Sequence, residues 1–100
     1  MNIFQENKCI ELLSKVLDTS YDKDEYCLHG YKDSAVCMDK IDDKWEVYES
    51  DRGNKFDVLI FDTLIEACFD VIKRMGVDGK TEQLKTLFCE YLIPDHALTA

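Results

Sequence analysis

Five cysteines, two histidines and many carboxylates are the side chains in this 100-residue chain that could do chemistry. A thiol nucleophile needs a neighbouring base to hold it as thiolate. Cys9, Cys27, Cys37, Cys68 and Cys89 are spread along the chain with no C-x-x-C pair, so their spacing makes neither a zinc nor a redox motif. They read as reduced, mostly buried thiols. An enzyme reading rests on Cys27 or Cys37 meeting His29, a proximity that no spacing predicts, while His96 lies in the tail.

Three further patterns resemble chemical motifs and fall short of them. Gly79-Lys80-Thr81 looks like the end of a phosphate-binding loop, but Arg74 occupies the position where the pattern needs its first glycine, and a helix precedes it. Asp22-Lys23-Asp24-Glu25 opens like a calcium loop, yet Tyr26 stands where the third oxygen ligand belongs and no glycine follows. Asp42-Asp43 falls in a turn, with no apolar wall to raise a carboxyl pKa for acid-base work. The sequence therefore predicts no catalytic residue, no metal site and no cofactor.

Charge carries more information. Acidic residues number 21 against 12 Lys and Arg, a net charge of −9. Between Asp18 and Asp57 twelve acids face six basic residues, so two thirds of that excess sits in the middle of the chain. Such a surface repels phosphate backbones and attracts basic proteins, which disfavours direct nucleic-acid binding. The plainer alternative is an acidic surface that only keeps the protein soluble. The first residues lack a basic stretch followed by an apolar one, and no later run is long enough to cross a bilayer. The expectation is a cytoplasmic protein with no membrane partner.

The elements that must position these residues follow from periodicity. Cys9, Leu12, Leu13, Val16 and Leu17 recur at three- and four-residue spacing, predicting a first amphipathic helix over 3–17. Strand-like stretches follow at 26–29, 34–39, 45–50 and 55–61, joined by short polar links that predict antiparallel neighbours. Trp45, Val47 and Glu49 alternate against Glu46, Tyr48 and Ser50, and Phe56, Val58 and Ile60 are placed together on the buried face. Gly53 and Asn54 suit the positive φ of a tight hairpin. Thr63 and Glu66 form a capping box opening a second helix that ends near Gly76, with Lys73 and Arg74 opposing its C-terminal dipole. Thr81 caps a third helix, in which Leu84, Leu87, Phe88 and Tyr91 recur on one side, and Pro94 stops it. The fold expected is one α+β domain over 1–100: an antiparallel sheet of three to four strands, flanked by one N-terminal helix and two C-terminal helices.

The stretch Trp45-Glu46-Val47-Tyr48-Glu49-Ser50-Asp51-Arg52-Gly53, followed by Phe61 and Glu66-Ala67-Cys68, resembles a segment of immunity proteins from bacterial polymorphic toxin and contact-dependent growth inhibition systems. In that family a tryptophan strand ends in a Ser-acid-Arg-Gly hairpin, a second strand returns, and a helix opens with an acid, Ala and often Cys. Every one of those positions is filled here, although Glu49 stands where an aromatic or small residue is usual. The likeness spans about a third of the chain, from Trp45 to Met75.

What the resemblance implies is an antitoxin: a protein that binds the C-terminal catalytic domain of a cognate toxin, plausibly a nuclease with a basic surface, and blocks it without chemistry of its own. Toxins that cut nucleic acids need basic clefts, which an acidic inhibitor reaches by steered association. The toxin-binding residues expected are Asp22, Asp24, Glu25, Asp33, Asp42, Asp43, Glu46 and Glu49, with Tyr31 and Tyr48 as anchors among exposed aromatics that also include Tyr21 and Tyr26. Arg52 either pairs locally with Asp51 or Glu49 or touches the toxin, with local pairing favoured. The alternative is an acidic adaptor or nucleic-acid mimic inhibiting another basic protein, distinguishable by its tolerance of many partners.

Overall fold

The computed structural model describes residues 2–76 and 79–91. Helix α1 spans Ile3–Asp18, and strands β1 (Tyr26–Cys27), β2 (Val36–Ile41), β3 (Lys44–Asp51) and β4 (Asn54–Phe61) precede α2 (Leu64–Met75) and α3 (Lys80–Tyr91). The predicted α+β class and its element order are both present. The stop at Pro94 lies outside the described residues.

Local chemistry sets the boundaries. Asn2 accepts from the Gln5 amide while the Gln5 side chain accepts from the Asn2 amide, both at 2.9 Å, a capping box that starts α1. At α2 the Thr63 Oγ1 accepts from the Glu66 amide at 3.2 Å and donates to the Glu66 carboxylate at 2.8 Å. The Glu66 side chain thus closes on the Thr63 hydroxyl, where the sequence predicted the capping residue's amide. Gly76 ends α2 at φ 75°.

The four strands form one sheet in the order β1-β2-β3-β4. The pairs β2-β3 and β3-β4 are antiparallel, as expected from their short turns. The first pair is not: β1 is a two-residue strand parallel to β2, matching Tyr26 to Val36 and Cys27 to Cys37. Residues 28–35 make the return crossing between them, a shorter link than the dozen or so residues a parallel connection usually takes, serving here a strand of only two residues.

One sheet face, carrying Val36, Met38, Trp45 and Val47, packs beneath the apolar stripes of α1, α2 and α3. Cys9, Leu13, Val16, Leu17, Ala67, Cys68, Val71 and Leu84 are fully buried there. The opposite face is partly closed by its own loop, because Ala35, Cys37 and Tyr48 form a second, smaller cluster with Cys27 against it. Ser50, buried on that face, receives the Ala35 amide at 3.0 Å and donates to the Lys32 carbonyl.

The fourth strand departs most from expectation. Phe56, Val58 and Ile60 are 49%, 41% and 51% exposed, not buried. Two causes act together. First, β4 is the sheet's outer edge, and only α2 among the helices makes substantial contact with it. Second, the ladder slips between Val47, opposite Leu59, and Glu49, opposite Phe56, and Asp57 sits there at φ 52°. That bulge reverses the alternation, so Phe56 shares a face with Leu59 and Phe61 while Val58 and Ile60 take the other.

Candidate protein-binding surface

Strand β3 carries the middle of the sheet, and its eight residues span roughly 25 Å at the usual rise per residue. The predicted acidic residues divide between its two ends. Asp42 and Asp43 occupy the β2-β3 turn at its start, where Asp42 takes φ 56°. Glu49 lies near its finish, by the hairpin turn where Gly53 meets Asp33. The set is therefore two surfaces and not one patch.

At the hairpin end the acids are tied into the loops. Lys32 Nζ reaches Asp24 at 2.8 Å and the Lys23 carbonyl at 3.3 Å, which draws the loop after α1 onto the β1-β2 crossing. That bond from Lys32 holds the Asp24 carboxyl below the usual range. Glu25 accepts from the Asp22 amide at 2.9 Å. Asp33 accepts from the Tyr31 hydroxyl at 2.7 Å and from the Gly53 amide at 3.1 Å, bonds that lower its pKa and pin the crossing loop to the β3-β4 turn. Desolvation, then the Asp33 bond, raises the pKa of Tyr31.

Two of the predicted contact residues are not on the surface. Tyr48 is 1% exposed, stacked under Tyr31 with ring centroids 6.2 Å apart and capped by Lys55 Nζ at 4.7 Å from its centroid. Glu46 is 7% exposed and receives Lys55 Nζ at 2.8 Å. Both point to the face opposite the helices, and the β4 lysine folds over them. Neither serves as an exposed anchor in this conformation. Tyr26 is likewise buried, with its hydroxyl donating to Asp18, and Tyr21 is half-buried, donating to the Met75 carbonyl at 2.8 Å. Tyr31, at 43% exposure, remains available, as do Asp22, Asp24, Glu25, Asp33, Asp42, Asp43 and Glu49.

Arg52 also differs from expectation. Its guanidinium pairs with neither Asp51 nor Glu49; Glu49 instead lies 3.4 Å from Arg74. Arg52 and Gly53 form a two-residue turn with φ of 51° and 81°, so the positive φ falls one residue earlier than the predicted Gly53 and Asn54.

Arg74, only 9% exposed in its side chain, is the most heavily engaged cation at this end. It donates to Asp70 at 2.7 Å, approaches Glu49, and donates to the carbonyl of Asp57 at the β4 bulge. This clamp couples the last turn of α2 to the edge strand. At the other end Lys44 pairs with Asp62, whose pKa that bond lowers, and Lys40 joins Glu6 at 3.1 Å.

The surface that sequence reasoning missed is β4 itself. Beyond the bulge, Val58-Leu59-Ile60-Phe61 is an uncharged run of four apolar residues, the first three exposed and Phe61 partly buried against the core. Four consecutive apolar residues put apolar groups on both faces of a strand, and an edge strand has no neighbour to cover them. The loss of alternation was the available signal. Ile60 stands across from Glu46 and Phe61 from Trp45, leaving the outer side of β4 unpaired.

Three of the cysteines and the lysine of the glycine-lysine-threonine segment have structural surroundings. Cys37 Sγ meets the carbonyls of Lys32 and Ala35 and the Ser50 hydroxyl, at 3.3 to 3.8 Å. Burial pushes the Cys9 thiol up to about 11 and the Cys68 thiol higher still. Lys80, the lysine of the phosphate-loop-like segment, donates to Thr19 at 2.6 Å and is the first residue of α3. Among the described residues no three His, Cys, Asp or Glu side chains gather to hold a metal ion, and no helix is long and apolar enough to cross a membrane. His96 lies outside the described residues. No protein-family model, curated protein or solved structure matches the chain.

Proposed function

We propose that this chain is an immunity protein, an antitoxin of a bacterial contact-dependent growth inhibition or polymorphic toxin system, that neutralises a cognate toxin domain in the cytoplasm by binding it. It performs no chemistry and needs no cofactor. The observation that carries this reading is a bare apolar strand edge on a strongly acidic molecule: Phe56, Val58, Leu59 and Ile60 are each about half exposed on a chain of charge −9. Contiguous exposed apolar groups mark association surfaces, and acids around them favour a basic partner over a neutral one. The exposed carboxylates at both ends of the sheet supply long-range attraction, and Tyr31 offers a partly rigid aromatic contact. A nuclease toxin, with its basic substrate cleft, has the complementary charge.

The test is to co-express the chain with the polypeptide encoded immediately upstream. The expected result is a complex that copurifies at moderate salt and restores growth to cells making that neighbour. Absence of both binding and rescue refutes the reading. A complex that forms equally well with unrelated basic proteins assigns the chain to general acidic mimicry instead.

A further inference from the structure

We infer that the outer edge of β4 between Val58 and Phe61 is a strand-addition site, filled by an extended segment of a basic protein that joins the sheet as a fifth strand. This deepens the immunity reading and rests on it for the identity of the partner. The argument begins with the strand's asymmetry. Natural edge strands are protected by charges and bulges, and the first half of β4 has both: Lys55 folded toward Glu46, and the Asp57 bulge held by Arg74. The second half has neither. Val58, Leu59, Ile60 and Phe61 are β-branched, leucine or aromatic, with no charge among them. The bulge separates the guarded half from the bare one, and the Arg74 clamp fixes where that division falls.

An incoming strand would find main-chain donors and acceptors along the open edge and apolar side chains on each face, Leu59 and Phe61 toward the helices and Val58 and Ile60 away from them. Its own residues must then be apolar at positions meeting these side chains. Its charge must be positive. The Asp57 carboxylate flanks the bare half with no ion pair among the described residues, and the cations beside that half, Lys44 and Arg74, are engaged by Asp62, Asp70 and Glu49, as Lys55 is by Glu46, while Arg52 lies at the hairpin end of the guarded half. A second copy of this chain fits poorly. Two molecules of charge −9 repel, whereas a basic segment is drawn to the same surface.

The experiment measures amide hydrogen exchange across β4 in the full chain under three conditions: alone over a concentration series, with the upstream-encoded polypeptide, and with a synthetic decapeptide alternating Lys or Arg with Val or Ile. Wild type is compared with Ile60→Lys and Leu59→Lys, which place a charge on exposed positions and are expected to keep the wild-type Tm. The expected result is slowed exchange at residues 58–61 with both probes, and binding weakened about tenfold or more by either lysine. Binding of the upstream polypeptide with β4 exchange unchanged and both variants at full affinity overturns the strand site and leaves the immunity reading intact. Protection by the decapeptide alone overturns the immunity reading and supports the strand site. Protection that grows with the chain's own concentration assigns the edge to a second copy and overturns the basic-partner inference. No protection under any condition overturns the site.

Discussion

Replacing Arg74 by Met tests whether the clamp between α2 and β4 is a determinant of stability. The methionine keeps most of the aliphatic length while removing all five donors. In the native protein the Arg74 and Asp70 side chains are 9% and 11% exposed, so little solvent is available to rescue an orphaned carboxylate. Losing one partner of such a buried, hydrogen-bonded pair costs about 3 kcal/mol, where a surface pair would cost a few tenths. The additional bond to the Asp57 carbonyl, which holds the bulge, disappears at the same time. Against a stability of about 5–15 kcal/mol for a domain of this size, the change lowers Tm by roughly 12–24 °C. Urea titration followed by Trp45 fluorescence measures it, since Trp45 is the single tryptophan and is 6% exposed in the native state. Adding Asp70→Leu to the Arg74→Met variant removes the stranded charge and is expected to recover at least half of the loss. A single variant that loses less than about 1 kcal/mol at unchanged m, or a double variant no more stable than the single, refutes the assignment of this network as a clamp.

Three other perturbations separate the remaining readings. Arg52→Asn relieves a bulky side chain at φ 51° and is expected to stabilise by about 0.5–1 kcal/mol in urea melts; a loss of stability would show that the guanidinium contributes a bond the structure lacks. Thiol labelling at pH 8 is expected to modify exposed Cys89 first, with Cys9, Cys37 and Cys68 silent until unfolding, whereas Cys27 or Cys37 reacting ahead of Cys89 would restore the thiol-enzyme reading. The carboxyls of Asp24, Asp33 and Asp62 are expected to titrate below 3.8 by NMR, for the reasons of the Lys32, Tyr31 and Lys44 bonds. Because these groups bind protons less tightly when folded, their stabilisation is complete above the unfolded value and is lost as pH falls through the lowered folded ones. Titration at or above 3.8 would refute those bonds in solution.

Much of the architecture is legible in the residues because local rules and tertiary packing agree there. The stripe of Cys9, Leu13 and Val16, the Thr63 cap and the Gly76 stop each specify their element by short-range physics, and all are present. The alternation of Trp45 and Val47 against Tyr48 is also kept. What failed depends on neighbours that a local pattern does not encode. Phe56, Val58 and Ile60 alternate as a buried face would, but burial requires a layer above the strand, and of the helices only α2 reaches this edge. A single residue at positive φ, Asp57, then breaks the phase, and nothing in an aspartate marks a bulge in advance. Tyr48 and Glu46 read as exposed because they alternate with the core, yet Tyr31 and Lys55 reach over them from other segments. The candidate site was therefore half visible: the exposed acids were identified by charge, and the apolar edge was assigned to the interior.

The strand order β1-β2-β3-β4 has a kinetic meaning beyond its geometry. Its two antiparallel hairpins close through turns of two residues each, so the meander from Val36 to Phe61 forms almost wholly from contacts between near neighbours in sequence. Packing of α1 on α3 joins opposite ends of the chain and carries the largest loop-closure cost. The meander and the adjoining α2 are then expected to make up the folding nucleus, with the two outer helices docking afterwards. Mutations at Val47 should slow folding, whereas those at Leu84 should mainly speed unfolding, and φ-values of the opposite order would reverse the sequence of events. In that sequence β4 enters the nucleus with one side already unpaired, and because among the described residues neither α1 nor α3 packs on it, the edge is as open after they dock as before.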